Sequence, residues 1–163
     1  MPGEQTPFAI RRATREDLPA LGQLGAMLVR THYEFDRDRF MAPRPHTDRG
    51  YASFLRSQLE DQEAVLFVAE RDGEIIGYVY AGLEPANWKE LREAAGFVHD
   101  VLVTERGRRL GVASALMRHA IDWLRGQGAP RVMLWTAAPN QAAQRLFERL
   151  GLRRTMIEMT LEL

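Results

Sequence analysis

Two groups of residues in this 163-residue chain could do chemistry, and they are neighbours in sequence. His99 and Asp100 lie in an apolar, β-branched run from Val98 to Val103. An imidazole with an ordinary pKa near 6.5 suits proton transfer at neutral pH, and the adjacent carboxylate is a second candidate base. A charged turn follows, leading into Arg108-Arg109-Leu110-Gly111-Val112-Ala113-Ser114, where a helical apolar pattern begins. Strand, turn and helix in that order make an anion site, because the first N–H groups of a helix lack intrahelical partners and carry the positive end of its dipole. The turn is neither a P-loop, G-x-x-x-x-G-K-[ST], nor a dinucleotide fingerprint, G-x-G-x-x-G. Gly111 lets the backbone approach a phosphate with no Cβ in the way, and Ala113 keeps the next position small. The amides from Arg109 to Ser114 can then face phosphate oxygens, while Arg108 adds positive charge.

The elements that must position these groups can be read in order. Residues 1–7 read as a flexible lead-in and Phe8 to Arg12 as a first strand. Thr14 is placed as an N-cap, and Leu18, Leu21, Leu24, Gly25, Leu28 and Val29 fall on one face of a helix ending near Thr31. An irregular connection, His32 to Gly50, precedes a short helix over Tyr51 to Leu59. Ala64–Glu70 and Glu74–Leu83 read as strands joined at an Asp72-Gly73 hairpin turn. A polar insertion from Glu84 to Ala94, with room for a helical turn, leads to a fourth strand starting near Gly96.

Leu110, Ala113, Leu116, Met117, Ala120, Ile121 and Leu124 form the stripe of an amphipathic helix running to about Arg125. A strand over Arg131–Thr136 follows, then a helix carrying Ala143, Leu146, Phe147 and Leu150 and stopped by Gly151. The alternation of Thr155–Leu163 predicts a final half-buried strand.

Composition narrows the function classes. One domain spanning residues 1–163 is the expectation at this length. Basic and acidic side chains balance at 22 each, which argues against nucleic acid or an anionic membrane surface as the main partner. With no cysteine, disulfides, thiolate catalysis and Cys-ligated zinc are excluded, and no metal site is expected. No apolar run approaches the length of a membrane span. A cytoplasmic enzyme or binding protein is the default expectation.

Arg108, Gly111 and Ala113 match [RQ]-x-x-G-x-[GA], and Asn140-Gln141-Ala142-Ala143-Gln144-Arg145-Leu146-Phe147-Glu148-Arg149-Leu150-Gly151-Leu152 is similar to N-x-x-A-x-x-L-[YF]-x-x-x-G-F. With these motifs in this order, the chain resembles the GCN5-related N-acetyltransferase (GNAT) family over nearly its whole length. The resemblance implies an α/β fold with a central mixed, mostly antiparallel twisted sheet of about six to seven strands flanked by about four helices.

It also implies transfer of an acetyl group from acetyl-CoA to a primary amine of a small molecule, by direct attack in a ternary complex. The turn from Arg108 to Ser114, including Arg109, Leu110 and Val112, would cradle the pyrophosphate of coenzyme A. The backbone of Val101, Leu102 and Val103 would line the pantetheine arm, with Val101 the candidate oxyanion donor. Asn140 would contact the cofactor, flanked by Arg145 and Phe147.

A typical alkyl amine, with a pKa near 10.4, is mostly protonated at neutral pH, and supplying its neutral form costs about 4–5 kcal/mol. A base is therefore useful, and His99 and Asp100 both remain candidates. On a regular strand they face opposite ways, so only one can readily point at the acceptor. Many relatives place a tyrosine at Phe147; a phenyl ring cannot protonate the departing thiolate, leaving water, direct thiolate release, or Tyr33, Tyr78 or Tyr80. Tyr33, Glu34, Glu84 and Trp88 suit a cationic amine by charge and cation–π contact, and Arg37, Arg39 and Arg44 equally suit an acidic acceptor. Alternatives are acetylation of peptide or protein N-termini, and a non-catalytic acyl-CoA-binding sensor. Relatives are often dimers, and the final strand is an edge able to pair across a homodimer interface.

Overall fold

The computed structural model describes residues 7–163; the expected lead-in, as far as residue 6, lies outside them. The strands are β1 (Ala9–Arg12), β2 (Ala64–Arg71), β3 (Glu74–Glu84), β4 (Ala95–Val103) and β5 (Val132–Leu134). They form one sheet in sequence order, antiparallel from β1 to β4 and parallel between β4 and β5. The helices are α1 (Leu18–Phe35), α2 (Thr47–Glu60), α3 (Val112–Gly126) and α4 (Gln141–Arg149). The β2–β3 turn forms at Asp72 and Gly73, both at positive φ (52° and 79°), as a tight hairpin requires.

The period of two along β2 divides the core. Val65, Phe67 and Ala69 pack with Val79, Ala81 and Val98 against Leu116, Met117, Ala120 and Leu124 of α3. Leu66 and Val68 pack with Tyr78 and Tyr80 against Leu18, Leu21, Leu24 and Leu55 of α1 and α2. One layer of helices thus lies on each face of the sheet.

The expected six to seven strands are five among the described residues. The strand predicted over Thr155–Leu163 forms no ladder, since alternation prepares a segment for pairing but does not supply a partner. α1 continues one turn beyond the expected end at Thr31, which brings Tyr33 and Glu34 onto the helix. α2 begins one turn early, at Thr47. The Glu84–Ala94 insertion contains an isolated antiparallel bridge, Asn87 to Arg92, in place of the expected helical turn.

Candidate active site

α1 and α2 cross where α1 presents glycine. A Cβ on Gly25 would lie 2.0 Å from the ring of Tyr51, and one on Gly22 would lie 2.4 Å from the Asp48 carbonyl oxygen. The bare backbone lets α2 approach closely enough for Tyr51 to reach β4. There the Tyr51 hydroxyl donates to Asp100 Oδ2 at 2.6 Å, and Tyr78 donates to the same oxygen at 2.9 Å. Burial raises the Asp100 carboxyl above its ordinary value of 3.8; the two hydroxyl donors and the nearby His99 and His32 oppose that rise. Burial and the facing carboxylate push both tyrosines upward as well. Asp100 is thus held between two hydroxyl donors under α2.

The expected alternation across His99 and Asp100 does not hold. Tyr80 pairs with Asp100 and Ala81 with Val98, so His99 is an extra residue in β4, a β-bulge with no partner in β3. Val98 and Val101 keep to the α3 side of the sheet, while His99 and Asp100 both lie on the tyrosine side. The His99 ring stacks on Tyr80 and Phe97, with centroids 4.8 and 5.6 Å away. Its Nε2 lies 3.0 Å from Glu84 Oε1 at the end of β3. The Glu84 carboxylate fixes the ring orientation and directs Nδ1 away from itself. His99 remains partly exposed, with 28% of its side chain open to solvent.

Beyond Val98 the ladder between β4 and β5 stops, because its only pairs are Gly96–Val132, Phe97–Met133 and Val98–Leu134. From His99 to Val103, the edge of β4 turned away from β3 therefore meets no strand among the described residues. At the far end of this gap, Arg109 (φ 62°) and Gly111 (φ 78°) both adopt the left-handed conformation. The glycine does so without a Cβ penalty, and open space lies where its Cβ would be. Among the described residues no acceptor meets the N–H groups of Arg109, Leu110, Gly111, Val112, Ala113 and Ser114. The free strand edge and the N–H cradle fit an extended arm ending in a pyrophosphate.

The other residues singled out in the sequence are dispersed differently. The Asn140 side chain caps α4, its Oδ1 accepting from the Ala143 N–H at 3.2 Å, which leaves its amide NH₂ able to donate. Arg145 is exposed, and Phe147 is buried in the core on the α3 side. Tyr33 lies under the Arg37 guanidinium, 5.6 Å from it, and Glu34 is exposed. Trp88 projects into solvent from the insertion, which Arg92 pins by lying 5.0 Å over Phe97. The two strand tyrosines considered as proton donors are engaged: Tyr78 with Asp100, and Tyr80, pushed up to about 12 by burial, with Gln58 Oε1 at 2.7 Å.

The sequence reading missed Tyr51 and His32 and assigned Glu84 only to the acceptor. The available signal was the spacing of Tyr78 and Tyr80, which share a face on a strand. Among the described residues no cluster of three His, Asp or Glu could hold a metal, and no helix is long and apolar enough to cross a membrane.

Residues 29–152 match the family model described as acetyltransferase (GNAT) family. The chain belongs to the GNAT family. It is 32% identical to an N-alpha-acetyltransferase of Sulfurisphaera tokodaii over 64% of this chain and 65% of that one. It is 34% identical to a mycothiol acetyltransferase of Thermomonospora curvata over 59% of this chain and 30% of the relative. The chain thus spans less than two thirds of the length of either relative. The solved structure of a predicted acetyltransferase with acetyl-CoA from Clostridium acetobutylicum superposes with a TM-score of 0.73, covering 95% of this chain and 96% of that one. At 13% identity, that likeness shows the GNAT fold alone.

Proposed function

We propose that this GNAT chain moves the acetyl group of acetyl-CoA to a primary amine of a small molecule, by direct attack with both substrates bound. One observation carries the reading: the free edge of β4 leads from the bulged His99 to six unpartnered N–H groups at the start of α3. When bound, acetyl-CoA supplies an activated acetyl thioester. The N–H groups from Arg109 to Ser114 hold its pyrophosphate, Arg108 adds charge, and the backbone of Val101, Leu102 and Val103 aligns the pantetheine arm. The Val101 N–H is the proposed donor to the carbonyl oxygen as negative charge develops there. The Asn140 NH₂, left free by the cap that its Oδ1 makes, is the further proposed donor to the cofactor.

Of the two candidate bases, the geometry favours His99. It is partly exposed and its Nε2 is directed by Glu84, so Nδ1 is left to accept the amine proton directly or through one water. Asp100 is given a positioning role: by holding Tyr51 and Tyr78 it braces α2 against the bulge. Glu84, Tyr33 and Glu34 supply carboxylate and aromatic groups suited to a cationic acceptor, while Trp88 stands apart in solvent. Phe147 has no proton to give, so the thiol product takes its proton from water.

Thiol release measured over a panel of small amines, amino-acid amides and peptides, beside an acceptor-free control, tests this reading. Turnover with small amines supports it. Turnover confined to peptide N-termini transfers it to the second reading, favoured by likeness to the Sulfurisphaera N-alpha-acetyltransferase. Binding of acetyl-CoA without turnover on any acceptor would make the chain a sensor.

A further inference from the structure

A row of aromatic rings crosses the tyrosine side of the sheet, with His99 in its middle. Phe54 of α2 meets Tyr80 edge-on, with centroids 5.9 Å apart. Tyr80, His99 and Phe97 lie nearly parallel, with 27° and 19° between successive planes. Phe97 then meets Trp135 edge-on at 5.8 Å. Tyr80 and Phe97 are buried and belong to the fold. The end rings are not: Phe54 is 44% and Trp135 74% exposed. Apolar side chains scattered singly over a surface need no explanation, but each of these is joined to the candidate base through one ring.

Trp135 stands where the sheet opens. Val98 and Leu134 are the last pair of the β4–β5 ladder, so His99 and Trp135 are each the first residue beyond it. Met133 shares a face with its partner Phe97, and Trp135, two residues on, returns to that face. An amine held at His99 thus has an exposed indole one ring away, at the mouth of the gap.

Charge limits what else the acceptor carries. The carboxylates that act on Tyr80 are Asp100, Glu84 and Asp61. Asp100 is closed off by the Tyr51 and Tyr78 hydroxyls, and Asp61 accepts from the Glu63 N–H. Glu84 is left, beside His99 and partly open to solvent, and one available negative charge suits one ammonium group. Arg92, which lies over Phe97, is buried against Glu90 and two carbonyl oxygens, so it is not free to hold an acidic acceptor.

We propose that Trp135 determines acceptor specificity, and that the acceptor is an arylalkyl monoamine: one primary amine joined by a short chain to one aromatic ring. This rests on the reading of the chain as an amine acetyltransferase and narrows it. The amine meets His99 beside Glu84, and the acceptor's ring extends the row by lying against the indole. The chemical step is unchanged: the nitrogen bonds to the acetyl carbon, the C–S bond breaks, His99 takes the amine proton and the thiolate takes one from water.

Phenethylamine, cyclohexylethylamine and diaminobutane make a matched panel: an amine with an aromatic ring, nearly the same shape without the π system, and a second charge in place of the ring. With acetyl-CoA, kcat/KM should fall in that order, by about two- to tenfold at the first step and by more at the second. Trp135→Ala should remove the preference for phenethylamine by raising its KM rather than lowering kcat, and Trp135→Phe should restore it. A second readout needs no turnover. The three tryptophans give three indole N–H signals in NMR, and the one missing from Trp135→Phe identifies Trp135. With coenzyme A present, phenethylamine should shift that signal and diaminobutane should not. Equal rates across the panel, a preference that survives Trp135→Ala, or a signal that phenethylamine leaves unmoved would overturn the inference, and turnover of any amine would still leave acetyl transfer standing. A shifted Trp135 signal without turnover of any amine would keep the aromatic-amine site and overturn acetyl transfer instead.

Discussion

Under α1 and α2, the polar side chains of the β3–β4 pair are closed in by partners: Tyr51 and Tyr78 on Asp100, and Tyr80 on Gln58. Along the other edge of β4 from His99 to Val103, and again from Arg109 to Ser114 at the start of α3, backbone groups are left open among the described residues. The closed region spends hydrogen bonds between distant elements to hold a position. The open region has its position held for it and keeps its donors for something else. His99 lies on the boundary, stacked on a tyrosine of the closed side and displaced by the bulge toward the open edge.

Changing the boundary residue should have the largest effect. His99→Ala is expected to lower kcat/KM at neutral pH by about 10²–10⁴-fold with little change in thermal stability, and Glu84→Gln to lower it less. A loss in the histidine variant matched by an equal drop in melting temperature would mean that His99 serves the fold.

The closed region breaks at Gly25. A methyl group there meets the Tyr51 ring, so Gly25→Ala should cost about 1–3 kcal/mol in denaturant unfolding. It should also reduce turnover, since Tyr51 can no longer brace Asp100.

The open region is tested at Gly111, where a β-branched residue is strained at φ 78°. Gly111→Val should weaken coenzyme A binding by at least tenfold in calorimetry, while costing about 1–2 kcal/mol of stability. Loss of stability with unchanged affinity would remove the turn from the binding site.

The smallest effect concerns Asp100. Its carboxyl is raised above 3.8 in the folded chain, so over that window the unfolded chain releases its proton first. The contribution to stability is therefore fully present below the ordinary value and is lost as pH rises through the raised one. The melting temperature of Asp100→Asn, relative to wild type, should increase between pH 4 and pH 7.

What could be read in the sequence was local. The Arg108–Ala113 turn, the Asp72-Gly73 hairpin and the stripe from Leu110 to Leu124 are written in residues a few places apart, and each forms within a residue or two of its expected place. What could not be read depends on partners far along the chain. Tyr51 meets Asp100 across 49 positions, because two glycines in α1 allow α2 to approach. The bulge at His99 is set by register against β3, which period-two counting along β4 alone cannot reveal. The final segment has the pattern of a strand and no strand partner among the described residues, so its alternation was legible and its pairing was not.

The gap between β4 and β5 has a consequence for hydrogen exchange. Amides of β4 that point toward β3 are tied into the ladder, while those between His99 and Val103 that point into the gap face solvent. In deuterated buffer, β4 should therefore show a short stretch of alternating slow and fast amides inside an otherwise protected sheet. A molecule lying along that edge would slow the fast ones, so the site could be mapped residue by residue from the clock of its own protons.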